Sequence, residues 1–461
     1  MKDLLTKINN VATQKFGAQY AEARAQKLYK TMLTVKEERV EGAKQGIENG
    51  VALRVLVNGA WGFASVGSLD VDILKSAVSD ACSMARMASS RLKTPIKLAE
   101  AKVVTDRVVS KPKVNPSDVL MEDKVRTALS VNKASLRFDK RIKSCNMDYM
   151  DLTGTSYFSN SEGTSIEQDK LYVWSRITAS ALSEGIYTFS REEIGSTAGF
   201  EVFEEHPPEV LGEKVAKRAV EQLSAKSPKG GTFPVVLGPN VVGVFVHEAF
   251  GHLAEADLAL SGGLLADKIG KKIGSHLVTF YDDGTIEGSF GTFKYDDEGV
   301  QTQKTLLIED GVVAGLMHNR ETAQKFNAEP TGNARAEDFR VEPIIRMRCT
   351  YMAPRDRSFE ELVEDVKQGY YFKSFRGGQA NLDGTFQVGI QEGYEINNGE
   401  IGNPVRDASI SGNTLETLYH VDAVGKDFSI DPGRCGKGQI AFICDGGPHI
   451  RVKEMVVGGS S

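Results

Sequence analysis

The sequence predicts an α+β fold of two domains, with an N-terminal domain of hairpin-plus-helix units at 1–225 and a mostly antiparallel-β C-terminal domain at 232–461. Three observations support this prediction. A chain of 461 residues exceeds the usual size of one hydrophobic core. The stretch 225–231 combines one proline with two glycines and two lysines, so it is read as a linker. Beyond it lie mostly glycine-punctuated, strand-like runs that contain one helix with candidate metal ligands.

The first domain is expected to join hairpins to helices. After an opening helix, alternating residues predict a hairpin at 50–66 that turns at Asn58-Gly59. Apolar residues at helical spacing then predict a helix at 71–88. Similar elements recur downstream. A helix is predicted at 117–134, strands at 141–190 and a further helix after the prolines at 207–208. This recurrence suggests an internal duplication.

Composition narrows the class of protein. A formal charge of -6 and a pI near 5.8 provide no basic excess for phosphate backbones, so no direct nucleic-acid partner is expected. No stretch approaches 18 consecutive apolar residues and the start lacks the apolar core of a signal peptide, so we expect a cytoplasmic protein without a membrane anchor. Five thinly spread cysteines indicate reduced thiols, most of them small core residues, and a cysteine near a histidine cluster could serve as a thiolate ligand.

In the second domain, a short apolar strand breaks at Gly238-Pro239 and is followed by a predicted helix at 240–257, with Asn240 as its N-cap. Five apolar residues form one stripe of this helix, namely Val242, Phe245, Val246, Ala249 and Leu253. An ideal helical wheel places Glu248 between His247 and His252 on the other arc. A second helix is expected near 358–368.

Two imidazoles beside a carboxylate suggest zinc chemistry, in which histidines bind the metal and a glutamate acts as a base. The pattern here is HExxxH, and residues five apart do not share a face of a regular helix. Chelation by both histidines therefore predicts a distortion such as a single-turn π-bulge, which Gly251 would ease because it has no Cβ. The alternative is that both histidines are partly buried and hydrogen-bonded, with Glu248 capping or solvated.

Several motifs of the second half resemble the TldD/PmbA family of peptidases and supposed gyrase modulators. They include HEAFGHLAEAD at 247–257, FYDDGTIEG at 280–288, FRGGQANLDGTF at 375–386 and RCGKGQ at 434–439. The resemblance is closest to the TldD branch, whose members carry HExxxH. It implies that zinc is held by His247, His252 and Cys435, with Glu248 as the catalytic acid and base. Cys444, in an apolar run, is expected to be a core residue.

The resemblance implies a zinc-dependent peptidase that hydrolyses unfolded or extended peptides and forms a dimer with itself or with a TldE/PmbA-like paralogue. Two other functions compete with this one. The chain could be a non-catalytic regulator or scaffold of a DNA-associated enzyme, or a metal-dependent amidase acting on small molecules.

The remaining polar residues divide into two groups. Glu255 and Asp257 either orient an imidazole or are solvated carboxylates at the end of a helix. Structural or surface roles are expected for four other histidines and for two acidic clusters beside glycines, namely His276, His318, His420, His449, 282–283 and 296–298.

Overall fold

The computed structural model describes residues 1–459. The N-terminal part contains seven strands: β1 (Tyr20–Lys36), β2 (Arg39–Val57), β3 (Ala60–Val66), β4 (Thr105–Val108), β5 (Ile142–Asn160), β6 (Ser165–Ser183) and β7 (Ile186–Ser196). Its helices are α1 (Lys2–Asn10), α2 (Val71–Ser89), α3 (Met121–Phe138), α4 (Val202–Glu205) and α5 (Pro208–Glu221). A π turn at Val11–Lys15 and 3₁₀ turns at Pro116–Asp118 and Gln222–Ser224 complete this part.

These seven strands form one sheet in the order β3-β2-β1-β5-β6-β4, with β7 paired to β6. Two long hairpins each carry helices on one face, because the inward residues of the strands and one stripe of each helix are apolar. Asp70 is the N-cap of helix α2, and its side chain accepts hydrogen bonds from the amides of Asp72 and Ile73. The hairpin-plus-helix units are therefore present, joined by antiparallel pairing of β1 with β5.

The C-terminal part contains fifteen strands among the described residues: β8 (Gly231–Leu237), β9 (Phe280–Asp283), β10 (Lys304–Glu309), β11 (Val312–Val313), β12 (Ala334–Arg335), β13 (Ile344–Ile345), β14 (Cys349–Met352), β15 (Gln368–Ala380), β16 (Thr385–Asn397), β17 (Glu400–Val405), β18 (Ser409–Asn413), β19 (Val421–Val424), β20 (Ser429–Gly436), β21 (Ile440–Gly447) and β22 (Ile450–Gly458). Its helices are α6 (Pro239–Val244), α7 (Ala256–Leu260), α8 (Arg320–Phe326), α9 (Phe359–Val363) and α10 (Thr414–Tyr419), with a π-helix at Phe245–Gly251.

Two larger sheets organise these strands. One has the order β11-β10-β9-β14-β21-β20, and the other β15-β8-β22-β18-β16-β17, with β19 beside β22 and β15 also paired to β16. Most pairs are antiparallel as predicted, whereas β14 with β21 and β8 with β15 are parallel. The segment from α6 to the π-helix packs into the large apolar core of this part, and all five residues of its predicted apolar stripe are buried.

Local details differ from the sequence predictions. Gly238, and not Asn240, is the N-cap of α6, because the Asn240 side chain instead bridges Asp431 and the Phe375 amide. The helix predicted at 240–257 is divided into α6, the π-helix and α7, and the one predicted at 358–368 contracts to α9. Helices α8 and α10 were not predicted. Among the described residues, no helix is both long and apolar enough to cross a membrane.

Candidate metal centre

The two histidines of the HExxxH segment are brought together by a π-helix. The amide of His252 donates to the carbonyl of His247 at 3.2 Å, the i to i+5 pattern of a π turn. This bonding places residues five apart over one another, and the centres of the two imidazole rings lie 5.1 Å apart. The distortion expected from the spacing is therefore confirmed.

Gly251 is required for a reason that differs from the predicted one. A Cβ added to Gly251 would lie 2.1 Å from Sδ of Met347, which is itself buried in the core. The absent side chain thus permits close packing of the π-helix against its neighbour rather than an unusual backbone angle, since Gly251 is not among the residues with positive φ.

Cys435 reaches the histidines from strand β20, far along the chain. Its Sγ lies 3.2 Å from Nε2 of His252, and one ligand atom from each of His247, His252 and Cys435 lies within 4.8 Å of the others. His247 and Cys435 are buried, and His252 is partly buried. Among the described residues this is the one group of three or more potential ligands found so close together.

The donor set suits zinc. Two imidazoles and one thiolate are preferred zinc ligands and leave a fourth position open. Burial raises the pKa of the Cys435 thiol, but the nearby His247 and His252 outweigh this effect and lower that pKa to about 4, so the sulfur is a thiolate. Nδ1 of His247 is buried without a hydrogen-bond partner in the described part of the chain, as expected of a nitrogen that binds a metal ion.

Charged side chains contact the His252 ring at Nδ1, the nitrogen that does not contact Cys435. Its Nδ1 lies 3.1 Å from a carboxylate oxygen of Glu255, which is fully buried, and the Lys437 ammonium donates to that oxygen at 3.0 Å. Lys437 also donates to Asp257 at 2.8 Å. Of the two acids singled out in the sequence, Glu255 therefore contacts the imidazole directly, whereas Asp257 accepts from Lys437 and from the Leu258 amide. Lys437, between them, was not predicted.

These contacts also change the pKa of the His252 ring. Burial lowers the pKa of His252, but hydrogen bonds to the Cys435 sulfur and to Glu255 outweigh it and raise the pKa to about 10. A thiolate and a carboxylate on opposite ring nitrogens fix the position of the imidazole. The carboxylate on Nδ1 leaves Nε2 directed at the cluster, the arrangement that metal-binding histidines usually show.

Glu248 lines a cavity of about 650 Å³ together with His247 and Cys435. Other carboxylates line the same cavity, among them Asp431 on β20 and Asp445 on β21. Burial raises the pKa of both, and that of Asp445 reaches about 7. Neither carboxylate was predicted from the sequence, although Asp445 interrupts an otherwise apolar strand, which is a detectable signal.

The opposite wall of this cavity comes from the N-terminal part. Strand β7 and helix α5 contribute Glu192, Lys214 and Arg218, and both basic side chains contact the Glu192 carboxylate. Gln391 of β16 joins this wall to the second half, because its amide group donates to the Arg191 carbonyl and accepts from the Arg191 amide. The cleft therefore lies between the two halves of the chain.

The other polar residues singled out in the sequence lie outside the cluster. His318 is buried, with Nδ1 3.1 Å from the Thr322 hydroxyl, and burial lowers its pKa to about 4. Asp296 accepts a hydrogen bond from the Glu298 amide, in keeping with the predicted turn, whereas Asp282 lies in strand β9 and accepts one from the Arg348 amide. Cys444 is a buried core residue as predicted.

Comparison with known proteins agrees with the resemblance seen in the motifs. Family models match the chain at residues 230–459 for the PmbA/TldA metallopeptidase C-terminal domain, at 21–85 for domain 1 and at 114–223 for the central domain. The family models thus place two domains where the sequence predicted one N-terminal unit, although a single sheet spans both.

Curated relatives cover nearly the whole chain. A metalloprotease of Methanothermobacter thermautotrophicus is 39% identical over 96% of this chain and 96% of its own. A zinc metalloprotease TldD homolog of Saccharolobus solfataricus is 34% identical over 97% of this chain and 98% of its own.

Solved structures share the fold at lower identity. TldE from Thermococcus kodakarensis has a TM-score of 0.79 at 20% identity over 99% of this chain and all of that one. A Thermotoga maritima protein described as a modulator of a DNA gyrase has the same TM-score and identity over 99% of both chains. From its three matched domains and its full-length relatives, the chain belongs to the PmbA/TldA metallopeptidase family.

Proposed function

We propose that this chain is a zinc-dependent peptidase that hydrolyses unfolded or extended peptides, with zinc held by His247, His252 and Cys435. The observation that carries the proposal is that His247, Cys435 and Glu248 line one cavity of about 650 Å³, with the ligand atom of His252 within 4.8 Å of those of His247 and Cys435. A cluster buried without access would suit a structural metal, whereas one that lines a cleft suits catalysis.

When bound, zinc supplies a Lewis acid that polarises the carbonyl of a peptide bond and lowers the pKa of water. Glu248 accepts the proton of the attacking water and passes it to the departing amine nitrogen, so one carboxyl group serves as base and then as acid. The Cys435 thiolate and the two imidazoles hold the metal, and Glu255 with Lys437 keeps the His252 ring in place.

An extended peptide has a strand edge available beside these groups. Among the described strands, β20 pairs only with β21, so it is an edge strand of its sheet, and residues 431–435 of β20 line the cavity. A peptide bound there as an added strand would be held mainly by main-chain hydrogen bonds and would need no particular side-chain sequence. Pairing of the chain with itself or with a TldE-like paralogue, which would enclose this cleft, is part of the same proposal.

The experiment compares zinc content and cleavage of an unstructured peptide in Glu248→Gln and in the unchanged protein. Gln keeps the size of the side chain but cannot take up the proton. We expect unchanged zinc and a fall in hydrolysis of roughly 10²-fold or more. Full activity in the zinc-loaded variant would refute the role of Glu248.

The same assay separates a peptidase from its two rivals. A panel of unstructured peptides and small amides, tested on the chain alone and with any partner subunit present, reports the size of substrate accepted. Cleavage of small amides only would favour the amidase, and no cleavage of either by a zinc-loaded protein would favour a non-catalytic regulator.

A further inference from the structure

A second cavity, of about 180 Å³, lies between the N-terminal sheet and the sheet that carries β20 and β21. Its walls come from β1, β5 and β6 on one side and from residues 335–348 and 434–442 on the other. Neither Glu248 nor any member of the His-His-Cys cluster lines it. It is therefore a separate site from the proposed catalytic cleft.

Basic side chains outnumber the carboxylates that line this cavity. Four basic side chains line it without forming any ion pair with a described residue, namely Arg24, Lys170, Arg335 and Arg348. The three arginines are 9%, 8% and 2% exposed. The lining carboxylates of Glu48 and Asp338 are already paired, with Lys30 and Arg340. Asp297 and Glu337 are the other lining acids, and each accepts a backbone amide hydrogen bond.

The partners of these arginines are neutral. Arg24 donates to the Val341 carbonyl at 2.7 Å, Arg335 to the Phe442 carbonyl at 2.6 Å and Arg348 to the Gly332 carbonyl at 2.9 Å. These contacts satisfy hydrogen-bond donors but cancel no charge. The Lys170 ammonium lies 4.1 Å from the centre of the Phe293 ring and has no hydrogen bond to a described residue, so its three N–H groups are available to a ligand.

Burial and mutual repulsion among these cations lower the pKa of Lys170 and of Arg348. Burial lowers the pKa of Lys170 to about 8, assisted by the positive charges of Arg348, Arg335 and Arg24 and opposed by Asp297. Burial and Arg335 likewise lower the pKa of Arg348 to about 10. A bound anion would relieve a repulsion that the nearby carboxylates offset only in part.

We propose that this cavity binds a small molecule bearing a phosphate group. A phosphate carries about 1.5 to 2 negative charges at pH 7, which fits the excess of cations better than a single carboxylate does, and guanidinium groups match its geometry. Tyr172, Phe293 and Phe442 form an apolar wall for the rest of an organic ligand. A water occupies roughly 30 Å³ of liquid, so the volume accommodates a small ligand but no polymer.

The test is calorimetric titration of the zinc-loaded protein with inorganic phosphate and with phenyl phosphate, at constant ionic strength set with chloride. We expect saturable binding that Lys170→Gln weakens about tenfold or more, with zinc content unchanged. Arg24→Gln provides a second variant on another strand of the same wall. Lys27→Gln is the matched control, since Lys27 also lies near an aromatic ring, that of Tyr29, but is exposed and outside the cavity.

The two probes distinguish the source of the phosphate. Tighter binding of phenyl phosphate identifies an organic phosphate monoester, and equal binding identifies the free ion; both results support the site. Absence of saturable binding by both probes overturns the proposal. It is also overturned if Lys170→Gln and Arg24→Gln bind phosphate as tightly as the Lys27→Gln control, because the ion would then be held elsewhere, for example at the metal.

Discussion

Replacing Gly251 with alanine tests whether close packing holds the π-helix in place. In an ordinary helix this change stabilises a protein by up to about 1 kcal/mol, because glycine loses more backbone freedom on folding. Here the new Cβ would lie 2.1 Å from Sδ of Met347, well inside the 3.4–4 Å of ordinary contact. The sign of the effect therefore distinguishes a tightly packed π-helix from one that can relax.

The magnitude follows from the surroundings of Met347. Its side chain is 1% exposed and belongs to the core beneath the π-helix, so it cannot move into solvent. Inserting a methyl group into a packed core costs typically about 1–3 kcal/mol. We expect Gly251→Ala to lower the free energy of unfolding by that amount and to weaken zinc binding, because the strain falls on the turn that aligns His247 with His252.

Urea denaturation and zinc titration measure these effects. Gly46→Ala is the control, since an added Cβ at Gly46 meets no atom within 4 Å. Met347→Ala removes the side chain in conflict, so Gly251→Ala should cost less in that background, with a coupling of about 1–3 kcal/mol. If Gly251→Ala is as stable as the unchanged protein, or costs the same in both backgrounds, the packing argument is wrong.

Three further predictions concern the cluster and the pH dependence of stability. Cys435→Ser should remove most of the roughly one zinc per chain while circular dichroism is unchanged; retention of zinc by the folded variant would contradict the ligand assignment. Lys437→Met should weaken zinc binding about 10–100-fold, measured by competition with a chelator, because Glu255 loses the cation that holds it against His252; an unchanged affinity would show that the ring needs no such support. Because burial lowers the pKa of His318 to about 4 from a usual value near 6.5, the unfolded chain binds the proton first as pH falls through 6.5 towards 4, and about 3 kcal/mol of stability should be lost over that range; His318→Asn should flatten this slope in denaturation curves.

Much of the fold and part of the site follow from local sequence. The hairpins follow from alternating apolar and polar residues, and α2 follows from helical spacing and a cap. The buried stripe of the segment after Gly238 also follows from helical spacing. Each of these patterns involves residues close together in sequence. The distortion between His247 and His252 follows in the same way, since their spacing cannot suit one ion on a regular helix. These features need no knowledge of distant contacts.

Other features depend on contacts that local patterns do not contain. Cys435 lies 183 residues beyond His252, and only the family resemblance indicated it. Asparagine is a common N-cap residue, but the Asn240 side chain instead donates a hydrogen bond to Asp431 on a distant strand. The order of strands in a sheet brings the carboxylate of Asp445 to the cleft and the ammonium of Lys437 to Glu255, and this order is set by tertiary packing rather than by propensity.

The β20–β21 hairpin connects the two cavities physically. Side chains alternate across a strand, so Cys435 faces the histidines while its neighbour Arg434 lies over the Trp174 ring of the N-terminal sheet, 4.9 Å from its centre. Arg346 donates to the Cys435 carbonyl at 2.9 Å. It also lines the second cavity, of about 180 Å³, here called the basic cavity. The position of the sulfur therefore depends on packing between the two halves as well as on the π-helix, and a ligand that neutralised the basic cavity would stabilise the same hairpin that presents Cys435.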